Sequence, residues 1–288
     1  PTVREIKRQR PDWTLELVTG PWNKGLVERF DEFDEVHYWT PDVVQFNRRI
    51  RTGVLTPDQE KAWISQLRAD GVDMVFCPSS PHFCELPLIV GLQPDVYVGV
   101  LWSLEGLETG IECRTIPFNS RHYEMDAVGD FIPLMGLERP TLALYYPVAE
   151  TSRMRVEREV ETWTGRKNPQ IALLFPGSGW LGKNWPPERF AALGDWLAKE
   201  RGFKVGVCGA ASEKHLCEKV AGTMQHPARL FAGNLSLDES AALIARAELI
   251  VGNDSAPIHI AAALGTPTLS LWGPTFPEKW APPGAGHA

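Results

Sequence analysis

The stretch Leu249-Ile250-Val251-Gly252-Asn253-Asp254-Ser255-Ala256-Pro257-Ile258-His259-Ile260-Ala261-Ala262-Ala263-Leu264 sets the architecture of this chain. Its first three residues are aliphatic without alternation, as a strand buried on both faces requires. A polar turn follows, and an apolar, alanine-rich segment continues as a helix to Leu264. Ser255 or Asp254 can cap that helix, and Pro257 suits its first turn, where a missing amide costs little. A buried strand running directly into a helix is half of a crossover unit, so the stretch predicts a parallel sheet.

The same rhythm recurs through the C-terminal half. Strands are predicted at 171–175, 204–208 and 268–271, with a weaker one at 229–231, and helices fill the gaps. Residues 187–200 place Phe190, Leu193, Trp196 and Leu197 on one helical face. Ser236-Leu237-Asp238-Glu239 has the spacing of a capping box, in which hydroxyl and carboxylate satisfy each other's backbone amides. The N-terminal half shows a fainter alternation. Strands are predicted at 14–19, 36–39, 73–77, 96–101 and 142–145, and helices at 3–8, 57–69 and 123–135, with 105–140 irregular. Thr164-Gly165-Arg166-Lys167-Asn168-Pro169, after a charged helix at 152–163, is the best linker candidate. The expected domains are 1–163 and 170–288, both α/β, joined by 164–169.

Composition narrows the function classes. A formal charge of −7 over 288 residues argues against a nucleic-acid binder, which needs a clustered basic footprint. The five cysteines are odd in number and lack paired close spacing, which excludes a disulfide framework and a zinc site and fits a reducing cytoplasm. No apolar run approaches the ~18–20 residues that cross a bilayer, and the first residues lack a signal-peptide core, so a soluble protein is expected. The basic run Arg4, Lys7, Arg8 and Arg10 is either a solvated helix face or a site for an anionic headgroup or sugar acid.

Four segments can carry chemistry. Strand 171–175 runs into Pro176-Gly177-Ser178-Gly179 and then Lys183-Asn184-Trp185-Pro186. Glycines there let backbone amides approach an anion and Lys183 adds a mobile positive charge, a phosphate cradle without Walker A spacing. At the second segment, the helix beginning near Ser255 and Ala256 turns its positive end toward the carboxyl edge of the sheet. Its amides can hold a diphosphate. Asp254 either caps or accepts sugar hydroxyls, and His259 is either a packed helix residue or a phosphate contact. In the third, Gly209-Ala210-Ala211-Ser212-Glu213, the Glu213 carboxylate faces either a helix dipole or the hydroxyls of a ribose. In the fourth, Trp272 and Trp280 either pack or flank a base.

Together these segments resemble the bacterial heptosyltransferases, glycosyltransferase family 9. The matching stretches are Phe175 to Gly179 with Lys183 to Pro186, Gly233-Asn234-Leu235-Ser236-Leu237, Asn253 to Gly265, and Gly273-Pro274-Thr275. The match is specific over the C-terminal part and diffuse over the N-terminal half. The resemblance implies a GT-B fold, two Rossmann-like doubly wound domains facing a cleft. It implies an inverting, metal-independent transfer of heptose from ADP-heptose to a lipopolysaccharide core acceptor, in the cytoplasm with possible peripheral contact at the inner membrane. Carried over by position, Lys183 binds donor phosphate and stabilises the leaving group. Glu213 meets the ribose, Asp254 the transferred sugar, and the Ser255 and Ala256 amides the diphosphate, with His259, Gly177 and Ser178 close by. Neither a cofactor nor nucleic acid is expected.

The sequence departs from the family pattern at Phe175, where His is frequent, and at Ala256, where Gly is frequent and reaches positive φ at less cost. Family members begin with a strand and a Gly-Asp loop that resembles the general-base site, and they continue past the region of Gly284 into a closing helix. The expectation is therefore an incomplete transferase, truncated at both ends, with its base upstream of Pro1 and activity residing in a longer parent. The alternatives are a transferase of the same fold for another nucleotide sugar, or a noncatalytic nucleotide-sugar-binding module.

Overall fold

A computed structural model describes residues 1–40, 44–45, 48–49, 55–78, 86–100, 110–117, 123–284 and 286–288. The chain divides into two units, Pro1–Leu142 and Ala143–Ala288.

The first unit runs α1 (Thr2–Gln9), β1 (Glu16–Thr19), α2 (Lys24–Val27), β2 (Glu35–Tyr38), β3 (Val44–Gln45), β4 (Arg48–Arg49), α3 (Pro57–Leu67), β5 (Met74–Cys77), α4 (Leu86–Leu92), β6 (Val96–Val100), β7 (Glu112–Ile116) and α5 (Glu124–Asp130). β1 pairs with β2, and β5, β6 and β7 form a three-stranded sheet in that order, all parallel. α3 starts at a capping box: Gln59 N donates to Thr56 Oγ1 at 3.3 Å, and Thr56 N donates to Gln59 Oε1 at 2.9 Å. Ile6 of α1, Val98 and Val100 of β6, and Phe131 and Met135 just after α5 meet in one apolar cluster.

Two sequence expectations fail in or beside this unit. β7 lies inside the stretch expected to be irregular, because it is an edge strand whose Glu112 and Cys113 face water, so it has little apolar pattern to read. No strand forms at 142–145, although Tyr146 just after it is buried. Apolar alternation marks a buried side, but a strand also needs a ladder beside it, which alternation along the chain does not report. The irregular loops expected to reach an acceptor fall partly on 101–109 and 118–122, outside the described residues.

The second unit runs α6 (Glu150–Thr164), β8 (Ile171–Phe175), α7 (Pro187–Arg201), β9 (Lys204–Val207), α8 (Lys214–Thr223), β10 (Ala228–Leu230), α9 (Leu237–Arg246), β11 (Leu249–Asn253), α10 (Ala256–Ala263), β12 (Thr268–Leu271) and α11 (Pro277–Trp280). The sheet order is β10-β9-β8-β11-β12 and every pairing is parallel. The order reverses direction between β8 and β11, the switch point of a doubly wound fold. β8 explains why the strands read as unbroken apolar runs. Ile171, Leu173 and Phe175 enter the core shared with α6, α9 and α10, while Ala172 and Leu174 enter the core shared with α7 and α8.

The position of α6 corrects the expected domain boundary. Val156 and Val160, one turn apart, bury into the same core as Ala242 and Leu243 of α9. Arg155 pairs with Glu239, whose Oε2 also accepts from Ser236 N at 2.8 Å in the capping box that opens α9. The chain divides at Leu142/Ala143 because this helix packs on the second unit. Residues 164–169 are instead the turn after α6, which Gly165 closes in a left-handed conformation at φ 66.

Candidate functional site

Three loops meet at the carboxyl ends of β8, β9 and β11, and glycines set how closely they approach. A Cβ on Gly177 would overlap the Glu213 carboxylate, so a residue without one is needed for the loop after β8 to touch the loop after β9. Glu213 is held there by its own helix start, with Ala210 N donating to its Oε2 at 2.8 Å. The helix-end reading of Glu213 is therefore realised. The carboxylate nonetheless stands at the mouth of the site, against Gly177. The loop after β10 joins through Gly233, at φ +73, whose amide donates to Gly209 O at 3.1 Å.

Ser178 closes the glycine turn on itself. Its Oγ lies 2.7 Å from Trp180 O and 2.6 Å from Asn184 Oδ1, so its hydroxyl is engaged inside the turn. The turn then delivers Lys183 through a short 3-10 segment, Leu181–Lys183. Lys183 Nζ donates to Asp254 Oδ2 at 2.9 Å and to Asp254 O at 3.2 Å. The two side chains are only 19% and 8% exposed, so this ion pair is largely shielded from water. Gly273, after β12, completes the wall: a Cβ there would lie 3.7 Å from Lys183 Cα.

Asn253, to which the sequence reading assigns no role, is the joint of the site. Fully buried at the end of β11, it accepts from Trp185 N at 3.0 Å through Oδ1 and donates to Pro176 O at 2.7 Å through Nδ2. Both edges of the lysine-bearing loop are thereby tied to β11. A signal for it exists along the chain: a carboxamide closing an aliphatic strand must find partners inside.

α10 begins without a side-chain cap. Ser255 occupies the cap position, but its hydroxyl donates back to Asn253 O at 3.1 Å, and Asp254 is paired with Lys183, so neither expected cap forms. Neither side chain therefore offsets the partial positive charge at the start of α10, where Pro257 has no amide hydrogen and Ile258 N donates to Ser255 O at 3.1 Å. Ala256 sits inside the first turn, and Gln93 is the non-glycine residue with positive φ among the described residues. Gly is thus not required at that position. His259, one turn in, is half-buried. Burial lowers its pKa, the Asp254 carboxylate opposes that shift, and the Lys183 ammonium adds to it.

Other expectations fare differently. Trp272 is half-buried, its Nε1 donating to Ser270 Oγ at 2.9 Å, whereas Trp280 is 36% exposed with Lys279 Nζ 4.9 Å from its ring centroid, so of the two alternatives it does not pack. The four-residue α11 gives it no layer to pack into. The N-terminal cations are each engaged: Arg4 by Glu32, Lys7 by Asp34, Arg8 by Glu5 and Arg10 by Asp12. Among the described residues one group has the side chains to hold a metal ion, Glu16, Glu35 and His37, whose ligand atoms lie within 4.8 Å of one another on β1 and β2. No helix among the described residues is long and apolar enough to cross a membrane.

Comparison with known proteins agrees with this geometry. Residues 125–286 match the model of glycosyltransferase family 9 (heptosyltransferase). The chain is 35% identical over 287 residues to lipopolysaccharide heptosyltransferase 2 of Escherichia coli K12, covering 96% of this chain and 78% of that protein. It is also 35% identical over 140 residues to an Escherichia coli lipopolysaccharide heptosyltransferase 3, where the match spans 48% of this chain and only 40% of the relative. The solved Escherichia coli ADP-heptose LPS heptosyltransferase II superposes with a TM-score of 0.73 at 20% identity, over 98% of this chain and 82% of that one, a likeness of fold. The match of residues 125–286 to the family model and the 35% identity to a relative of which this chain covers 78% show that this chain belongs to glycosyltransferase family 9, the heptosyltransferases.

Proposed function

We propose that the second unit binds a nucleotide sugar and that the whole protein transfers the sugar with inversion, the donor being ADP-heptose and the acceptor a lipopolysaccharide core. The observation that carries this reading is the meeting of Lys183 with the uncapped start of α10 at the switch point between β8 and β11. Open α/β sheets bind ligands at that place, and an ammonium beside free helix amides suits a diphosphate.

The chemistry follows from where charge develops. The acceptor oxygen attacks the anomeric carbon, the bond from that carbon to the diphosphate oxygen breaks, and the hydroxyl proton passes to a base. Negative charge grows on the departing diphosphate. Lys183 and the Ser255 and Ala256 amides are aimed at it, and dipoles fixed in advance in a dry site are worth more than the same groups in water. Glu213 receives the ribose hydroxyls and Asp254 those of the sugar. With cationic groups supplied by the chain, transfer proceeds without a metal. The family resemblance also supports work in the cytoplasm, at the inner face of the membrane that carries the acceptor.

Titration calorimetry with ADP-heptose, UDP-sugars and GDP-sugars tests the donor, with selective uptake of ADP-heptose expected. Lys183→Ala should lower affinity and turnover by roughly 10²-fold, the scale of one lost transition-state donor. Unchanged rates would remove Lys183 from the mechanism, and no uptake of any nucleotide sugar would remove the reading itself.

A further inference from the structure

The Lys183–Asp254 pair lies in the middle of the site just described, and its geometry sets a condition on what can bind there. We infer that this pair makes the site distinguish a diphosphate that carries a sugar from one that has lost it, so that the spent nucleotide is displaced by the protein's own carboxylate. The inference rests on the nucleotide-sugar reading above.

The pair is nearly closed to solvent, with Asp254 the deeper member. Each charge is therefore the other's main compensation, and removing one leaves the other buried and unpaired. Asp254 has little freedom to turn away. Its amide donates to Leu271 O at 3.1 Å and continues the β11–β12 ladder, while its carbonyl accepts from the same ammonium. Among the described residues Lys183 is the cation paired with it. His259 is a poor substitute, since burial lowers the pKa of its ring.

A diphosphate entering the cradle competes with Asp254 for the ammonium and brings like charge near a carboxylate that can no longer be neutralised. A sugar changes the balance. Its hydroxyls donate to the carboxylate, so that the donor exchanges one pair for two sets of interactions: phosphate with Lys183, sugar with Asp254. Once transfer has removed the sugar, the carboxylate has lost those donors and reclaims the lysine. The nucleoside diphosphate is then held by the helix amides and Glu213 against a competitor fixed in the wall of its own site. No covalent change in the protein is required.

Calorimetry with ADP, inorganic pyrophosphate and ADP-heptose on the wild-type chain and on Asp254→Asn tests this. The amide keeps the shape and removes the charge. ADP and pyrophosphate should bind the variant about ten-fold more tightly, while ADP-heptose gains nothing, so the preference for donor over product collapses. In a Lys183→Met background the same substitution should give a different gain, because no ammonium remains to be released and only the like-charge repulsion is relieved; equal gains in both backgrounds would overturn the exchange. Asp254→Ser, which also removes the charge, provides the same reading if the asparagine variant unfolds. If the variants fold and bind ADP no more tightly than wild type, the exchange is wrong and the nucleotide-sugar site stands. If the wild type takes up neither ADP, pyrophosphate nor ADP-heptose, both fall together.

Discussion

Asn253 and Trp185 are joined across 68 residues of chain by a hydrogen bond of 3.0 Å from the tryptophan amide to the carboxamide oxygen. The nitrogen of the same carboxamide reaches Pro176 O at 2.7 Å, so one buried side chain spans both ends of the loop that carries Lys183. Asn253→Ala leaves an amide and a carbonyl without partners, at ~1–3 kcal/mol for each unsatisfied buried group. A loss of about 3 kcal/mol is expected in urea unfolding. Asn253→Asp should lose a comparable amount, because it keeps the acceptor for Trp185 but faces Pro176 O with a second oxygen. An unshifted midpoint in both variants would show that the loop does not depend on this clamp.

Two glycines in one turn should behave oppositely. Gly177 faces the Glu213 carboxylate, whereas nothing lies within 4 Å of a Cβ placed on Gly179. The obstruction at Gly177 is the far end of a flexible side chain, so Gly177→Ala displaces Glu213 rather than breaking the fold. It gives up the bond from Ala210 N, worth about 1 kcal/mol at a helix start. Nucleotide affinity should fall several-fold in Gly177→Ala and remain near wild type in Gly179→Ala. Adding Glu213→Ala to Gly177→Ala should cost little more, since the two changes remove the same interaction. Full additivity in that double variant would separate the two residues.

His259 makes stability depend on pH in one direction. Burial lowers its pKa from 6.5, so the unfolded chain takes up a proton that the folded chain resists. Where the unfolded state binds more protons, stability rises with pH. The contribution is therefore complete above about 6.5 and is lost as pH falls below that value toward the folded pKa. Urea unfolding at pH values of about 7.5 and about 5.5, either side of the unperturbed imidazole pKa, should show a decline in the wild type that is smaller in His259→Gln. Equal declines would mean that the ring is not held neutral.

Much of the second unit is legible in the amino-acid sequence because its signals are local. The aliphatic runs of β8, β9, β11 and β12, the capping box at Ser236 and Glu239, and Pro257 in the first turn of α10 each report on a few neighbouring residues. The glycine turn after β8, the start of α10 and Glu213 stand out by residue type and position, and folding brings them to one sheet edge. The helix cap is not legible in this way, for a physical reason. Ser255 has two places to send its hydroxyl, and the choice depends on Asn253 O, whose position is set by the strand behind it.

The order of strands and helices, the parallel sheet and the residue types able to hold a diphosphate follow from the chain itself, since hydrophobic period and turn chemistry act over short distances. Long-range packing settled the rest. It assigned α6 to the second unit through Val156 and Val160, made an edge strand of the polar segment β7, and left 142–145 outside the strands. It also joined Lys183 to Asp254 across 71 residues. An ion pair of that kind has no signature along the chain, because the energy that forms it arises only after the sheet has closed and water has left.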